Sequence, residues 1–322
     1  MSIRSFFCTI KKSNSHEIKQ KVSDFFWWKY NNFLEKYIGK IPNPEAWQGQ
    51  WLAYNRIEKK YLNTTYNIDS IFPPKSNVLD EKNIWFYWNS GLEDAPDIVR
   101  KCFRQLQKNK PNDYHIHLLT QENVKDYVAF PDFIKGKLNK GVMSQTHFSD
   151  ILRTALVYQY GGIWFDATCL LTDKIPPKIL NSIFFVFQTN LLNLRETYSP
   201  IKCSNWFIAS NVRHNLILKR TLQILLSYWE KNNRIIHYYL YHLIMAAIVN
   251  NDAECAQIWQ RMPYICNMNP HVLQYSFEKK YSEEQWGNVI ESCFIHKLTY
   301  KYDNDILNNA EENILQHLMR VY

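Results

Sequence analysis

A chain of 322 residues, 46% hydrophobic and 16% aromatic with eight glycines, can build one large core plus an extension, which excludes a disordered or repeat-built protein. Its seven cysteines are scattered without a Cys-x-x-Cys pair, which argues against a disulfide framework and against zinc, and for a reducing compartment. The net charge of +8 is concentrated in residues 1–40, where eight Lys and Arg meet three acids, but no recognised module accompanies it, so nucleic acid is excluded as a partner.

In chain order, residues 1–75 read as a helical extension and 76–322 as the main domain, with a linker at Phe72-Pro73-Pro74-Lys75-Ser76-Asn77. The basic segment 1–40 interleaves its charges with Phe25, Trp28, Phe33 and Tyr37. Such a segment suits an anionic membrane surface, or it packs as a helix onto the core; both readings stand. Strands are expected at 84–88, 115–119, 183–188 and 290–294. Helices are expected at 96–107, 121–128, 215–232, 235–249 and 304–320. The alternation predicts an α/β fold with a largely parallel sheet flanked by helices. The N-terminus lacks a signal-peptide apolar core, and the apolar run 243–249 is far below a membrane span. A cytosolic protein, peripheral on the inner face of the plasma membrane, is therefore expected.

The most informative stretch is 147–172. Ile151, Leu152, Ala155, Leu156 and Val157 form a helical stripe, with Ser149 placed to cap or open the helix and Asp150 and Arg153 sharing one edge of its first turn. Gly161-Gly162 suits a left-handed helix stop. A buried strand is predicted over 163–171, interrupted by Asp166 and Thr168, whose side chains would then point to one face. An ionised Asp in such a strand is costly unless paired or bound to a cation. The set could hold a metal-diphosphate, or it is a solvated strand end beside an ordinary ion pair.

These residues resemble a family. Ser149-Asp150-x-x-Arg153 followed by Gly161-Gly162-Ile163-Trp164-Phe165-Asp166-Ala167-Thr168 looks like the capsular polysaccharide synthesis glycosyltransferases. Those are related to DxD-containing transferases and remotely to the glucosylating clostridial toxins. Asn83–Gly91, Ala95–Val99, Ser204–Ile208 and His296–Lys301 resemble further landmarks, so the likeness covers roughly 80–301. The resemblance implies a GT-A-type, Rossmann-like mixed sheet with an N-terminal helical extension. It also implies a nucleotide-sugar donor, usually with divalent Mn²⁺ or Mg²⁺, and retention of anomeric configuration. Where the wider superfamily has Asp-x-Asp, this chain has Thr168, a weaker ligand for a hard cation, which leaves metal dependence open.

By the same resemblance Asp166, Asp150 and Arg153 are the catalytic set. Trp88, Ser149, Asp150, Arg153, Gly162 and Lys297 would bind the donor, with Trp88 stacking on the base. Asp166, Thr168 and His296 would meet the metal. The implied activity moves a hexose from a UDP-linked donor onto a lipid-linked oligosaccharide for surface polysaccharide. Two competing readings are a non-catalytic capsule-assembly component of the same fold and a glycosyltransferase effector modifying protein.

Overall fold

The computed structural model describes residues 44–71, 82–189 and 199–322. The basic segment 1–40, the linker 72–77 with its domain boundary, and residues 190–198 lie outside the described residues.

The main strands are β1 (Lys82–Tyr87), β2 (Tyr114–Leu119), β3 (Gly162–Asp166), β5 (Phe185–Gln188) and β6 (Cys203–Ser210), with β4 (Cys169–Leu171) and β7 (Ile295–Lys297) apart from them. The first five form one sheet in the order β2-β1-β3-β6-β5, and β4 pairs with β7. β1 is parallel to both β2 and β3, whereas β6 is antiparallel to β3 and β5. The fold is therefore mixed α/β as expected, but the sheet is parallel on one side only. β1 is joined to β2, and β2 to β3, through helical segments, as parallel neighbours require, whereas β6 runs against both of its neighbours. Register sets Tyr87 opposite Asp166, which puts the carboxyl ends of β1 and β3 side by side, where open α/β sheets take their ligands.

The principal helices are α1 (Pro44–Tyr61), α2 (Asp97–Asn109), α3 (Gln145–Tyr160), α4 (Leu216–Lys231) and α5 (Leu240–Asn251). α3 lies against β1, β3 and β6 and packs on α4, which continues through α5 to α1. Thirteen of the sixteen residues of α3 are buried, as expected of a helix enclosed between a sheet and other helices. Ile57 of α1 joins the same core as Trp85 and Trp164, all of them buried. No helix among the described residues is long and apolar enough to cross a membrane.

Local chemistry accounts for the boundaries. Asn215 caps α4 by accepting from the N–H groups of Ile217 and Leu218, so the predicted start at 215 is displaced by one residue. α3 opens earlier than predicted: Ser144, not Ser149, is its cap, accepting from the His147 N–H at 3.3 Å. The predicted strand 163–171 is broken by a turn at Ala167-Thr168 into β3 and β4. Alternation therefore does not relate Asp166 to Thr168.

Four other elements differ from expectation. Residues 121–128 hold only a 3₁₀ turn at Val124–Asp126, and the helix expected from 235 starts at Leu240. The strand expected at 290–294 is shifted to β7, behind a helix at Glu283–Ile290. The terminal helix is reduced to Ile314–Val321, opened by an Asn313/Gln316 capping box that fixes its start.

Candidate active site

Asp166 ends β3 and is placed between two cations. Its Oδ1 lies 3.2 Å from Arg153 Nη1 and accepts from the Trp164 indole N–H at 2.8 Å; its Oδ2 lies 3.8 Å from Lys297 Nζ. Trp164 and Asp166 are two apart in a strand, so both face α3. Arg153 is only 3% exposed, and a buried guanidinium must be fully engaged to be tolerated. It donates to the Ser149 carbonyl, the Ser149 hydroxyl and the Asn205 carbonyl at 3.0, 2.8 and 2.6 Å, and its head lies over the Trp164 ring at 5.2 Å. Asp150, on the same helix edge as Arg153 as expected, stands 3.7 Å from it and accepts from the Asn205 side chain at 2.7 Å. The i,i+3 spacing was right, but a strand neighbour offers Asp150 a better partner. Asn205 is thus a site residue the sequence did not assign; an amide among the apolar residues of β6 was its signal.

Two cavities meet at this triad. The first, about 470 Å³, is lined by Trp88, Ser149, Thr168, Tyr300 and Lys301 together with Arg153, Asp166 and Lys297. Trp88 follows β1 directly, is half-buried and meets Tyr300 edge to face with centroids 5.4 Å apart. The second, about 710 Å³, includes Asp150 and shares Thr146, Arg153, Asp166, Tyr238 and Lys297 with the first.

Gly162 and His296, assigned from the sequence, do not take the expected positions, and Ser149 lines the first cavity while also holding Arg153. Gly162 stands at the opposite end of β3 from Asp166, beside a separate cavity lined by Lys82, Asp113 and Arg213, so it cannot touch a ligand bound at Asp166. Ser149 is buried inside α3, where its hydroxyl donates to the Thr146 carbonyl and accepts from Arg153; it positions the guanidinium. His296 is fully buried in β7, opposite Leu170, while its neighbour Lys297 reaches the cavities. Alternation turns the imidazole away from the side that Lys297 takes.

The donor set sets how a divalent cation could be held. The Thr168 hydroxyl already accepts from Lys297 at 2.5 Å, and among the described residues no group of three or more His, Cys, Asp or Glu could hold a metal. Asp166 alone presents a carboxylate to both cavities. One carboxylate fits a cation that arrives on the phosphate oxygens of its ligand, a mode usual for Mg²⁺, and does not fit a dedicated protein cage.

The position of His296 carries a consequence for stability. Burial pushes its imidazole down to about 4, against the opposing pull of the Ile290 and Cys293 backbone. The folded state thus resists protonation while the unfolded chain takes a proton near pH 6.5. The stability is complete above about pH 6.5 and falls as pH drops towards 4, by up to roughly 3 kcal/mol for this one site. Denaturant titrations at pH 7 and pH 4.5 should show His296→Leu losing less stability over the interval than the parent; an identical loss would place the pH sensitivity elsewhere.

Comparison with known proteins adds the following. The sequence profile described as capsular polysaccharide synthesis protein matches residues 41–318. The chain is similar to the O-glycosyltransferase braB of Annulohypoxylon truncatum, 27% identical over 166 residues that cover 48% of this chain and 39% of the relative. It is also similar to the probable glycosyltransferase FCK3 of Fusarium pseudograminearum, 26% identical over 165 residues, 48% of this chain and 40% of that one. The chain thus spans about two fifths of the length of these curated relatives. A solved structure of the PaToxG glycosyltransferase aligns with 66% of this chain and 85% of its own, at 16% identity and a TM-score of 0.38.

Proposed function

This chain belongs to the capsular polysaccharide synthesis family, and on that premise we propose that it is a glycosyltransferase that takes a nucleotide-sugar in the first cavity and delivers the sugar to an acceptor in the second. The observation that carries the reading is the shared wall of the two cavities, where one carboxylate is held between a buried guanidinium and a lysine. Transfer from a nucleotide-sugar leaves a diphosphate whose negative charge grows as the glycosidic bond breaks. Fixed cations aimed at that position stabilise the departing group without reorganising. Arg153 and Lys297 have this role in the proposal, with Arg153 fixed in place by Ser149 and Asn205. Trp88 and Tyr300 form an aromatic corner suited to a nucleobase. Asp150 positions Asn205, whose carbonyl in turn holds Arg153. A divalent Mn²⁺ or Mg²⁺ bound with the diphosphate would be held by Asp166 and would supply Lewis-acid neutralisation of the leaving group.

The finer reading keeps what the resemblance implies. The donor is a UDP-hexose, the product retains configuration, and the acceptor is a lipid-linked oligosaccharide met at an anionic membrane surface through residues 1–40. In this reading residues 76–322 are the catalytic domain.

The test is nucleotide release from a panel of UDP- and GDP-sugars with Mn²⁺ or EDTA, alongside calorimetric binding of UDP and GDP. One donor should be consumed, and faster with Mn²⁺. Absence of both hydrolysis and nucleotide binding would promote the non-catalytic assembly component. Sugar transfer to proteins in a lysate would favour the effector reading.

A further inference from the structure

We infer that Asn89, oriented by the Tyr87 hydroxyl and assisted by Gln145, selects the base of the bound nucleotide, admitting a keto base (uracil or guanine) and rejecting its amino counterpart; the inference rests on the reading of the first cavity as the donor site. Trp88 and Tyr300 cannot make that choice, because every base has a π-face to stack. Selection needs hydrogen bonds to the base edge. Asn89 and Gln145 line the same cavity as Trp88, and Asn89 follows it directly in the chain.

Tyr87 fixes which way the Asn89 carboxamide faces. Its hydroxyl donates to Asn89 Oδ1 at 2.9 Å and has Gln145 Oε1 at 3.3 Å. Burial pushes the phenol up to about 12, so the proton that orients the amide is present throughout the neutral range. A hydroxyl carries a single proton, and the nearer Asn89 oxygen takes it. With both carboxamide oxygens turned to the phenol, both amino groups are left to donate, and neither has a hydrogen-bond partner among the described residues. The backbone is pinned as well. The Trp88 N–H donates to the Leu119 carbonyl, and the Asn89 carbonyl accepts from the Gln121 N–H, each at 3.0 Å. Asn89 is thus a preset donor next to the stacking ring.

A free carboxamide reads adenine by donating and accepting at once. Asn89 has its oxygen engaged and keeps only the donor. A preset donor suits the exocyclic oxygen of uracil or guanine, and it meets another donor where cytosine or adenine carries an amino group. Uracil and cytosine are of one size, as are guanine and adenine, so cavity shape does not decide between the members of either pair. Gln145, exposed at the start of α3, adds a second amide donor to the same cavity wall.

Calorimetric titration of the intact chain with UDP, CDP, GDP and ADP tests the inference, with thermal melts to confirm that each variant is folded. UDP should bind about tenfold or more tightly than CDP, or GDP than ADP, the scale of one mismatched contact to a base edge. Tyr87→Phe keeps the ring and removes the hydroxyl that orients the amide. Asn89→Asp keeps the shape and replaces the donor by an acceptor. The keto-over-amino ratio should fall towards one in the first variant and below one in the second; if Tyr87→Phe does not fold, the half-buried Asn89→Asp decides alone. Equal affinity for keto and amino partners in the parent, or a preference that Asn89→Asp retains, would overturn the inference and leave the transferase reading intact. A preference lost in Asn89→Asp but kept in Tyr87→Phe would support Asn89 as the reader and overturn the part given to Tyr87. Binding of no nucleotide at all would overturn the donor site and the inference with it.

Discussion

Replacing Asp166 with Asn should lower sugar transfer, or donor hydrolysis, by about 10² to 10³-fold, the scale on which a preorganised electrostatic group acts. The substitution keeps the shape and an oxygen for the Trp164 N–H, and removes only the negative charge between Arg153 and Lys297. Losing one partner of a buried pair can cost about 3–5 kcal/mol of stability when the other charge is left uncompensated. Here the cost should be smaller. Arg153 still donates to three oxygens of Ser149 and Asn205 and has Asp150 at 3.7 Å. Steady-state kinetics with a thermal melt of the same sample separates the two effects. Full turnover in a folded Asp166→Asn variant would remove this carboxylate from the machinery.

Gly162→Ala is expected to cost about 4 kcal/mol or more, among the largest effects of a single substitution, through backbone strain and a steric clash together. Gly162 sits at φ +89°, and a Cβ there would lie 2.1 Å from the carbonyl oxygen of Asn83 and 2.8 Å from its carbonyl carbon. Asn83 cannot retreat easily. It is fully buried, its Oδ1 bonds His117 Nε2 at 2.8 Å, and its Nδ2 donates to the Tyr160 carbonyl at 3.2 Å. Gly161→Ala is the control: its φ is also positive, at +67°, with ψ at −163°, but the nearest atom would be 3.4 Å away, so about 1–3 kcal/mol of conformational strain is expected without the clash. Urea denaturation of both variants checks the order. Equal stabilities would mean that β3 does not approach β1 as closely as described.

These two predictions concern opposite ends of one strand, yet in the sequence the two residues belong to a single motif. Proximity along the chain made Gly162 look like part of the ligand site. The strand carries it four residues from Asp166, to the opposite end of the central strand, where close packing against Asn83 is what requires a glycine. Lys297 is the reverse case. It is distant in sequence, but pairing of β7 with β4 sets it against Thr168 and Asp166.

The sequence by itself determined the α/β class, the helix α4 to within a residue of its start, the glycine stop after α3 and the residue types at the candidate site, because turns and periodicity depend on neighbours within a few positions. Only the tertiary structure decided which partners those residues take. Arg153 turns to Asp166 and not chiefly to Asp150; His296 is buried while Lys297 faces the cavities; the sheet reverses direction at β6. A charged or polar group chooses among all the partners that packing brings within about 3 Å, and those come from elements far apart in the chain. The second cavity, walled by residues from Trp47 to Lys297, belongs wholly to that level.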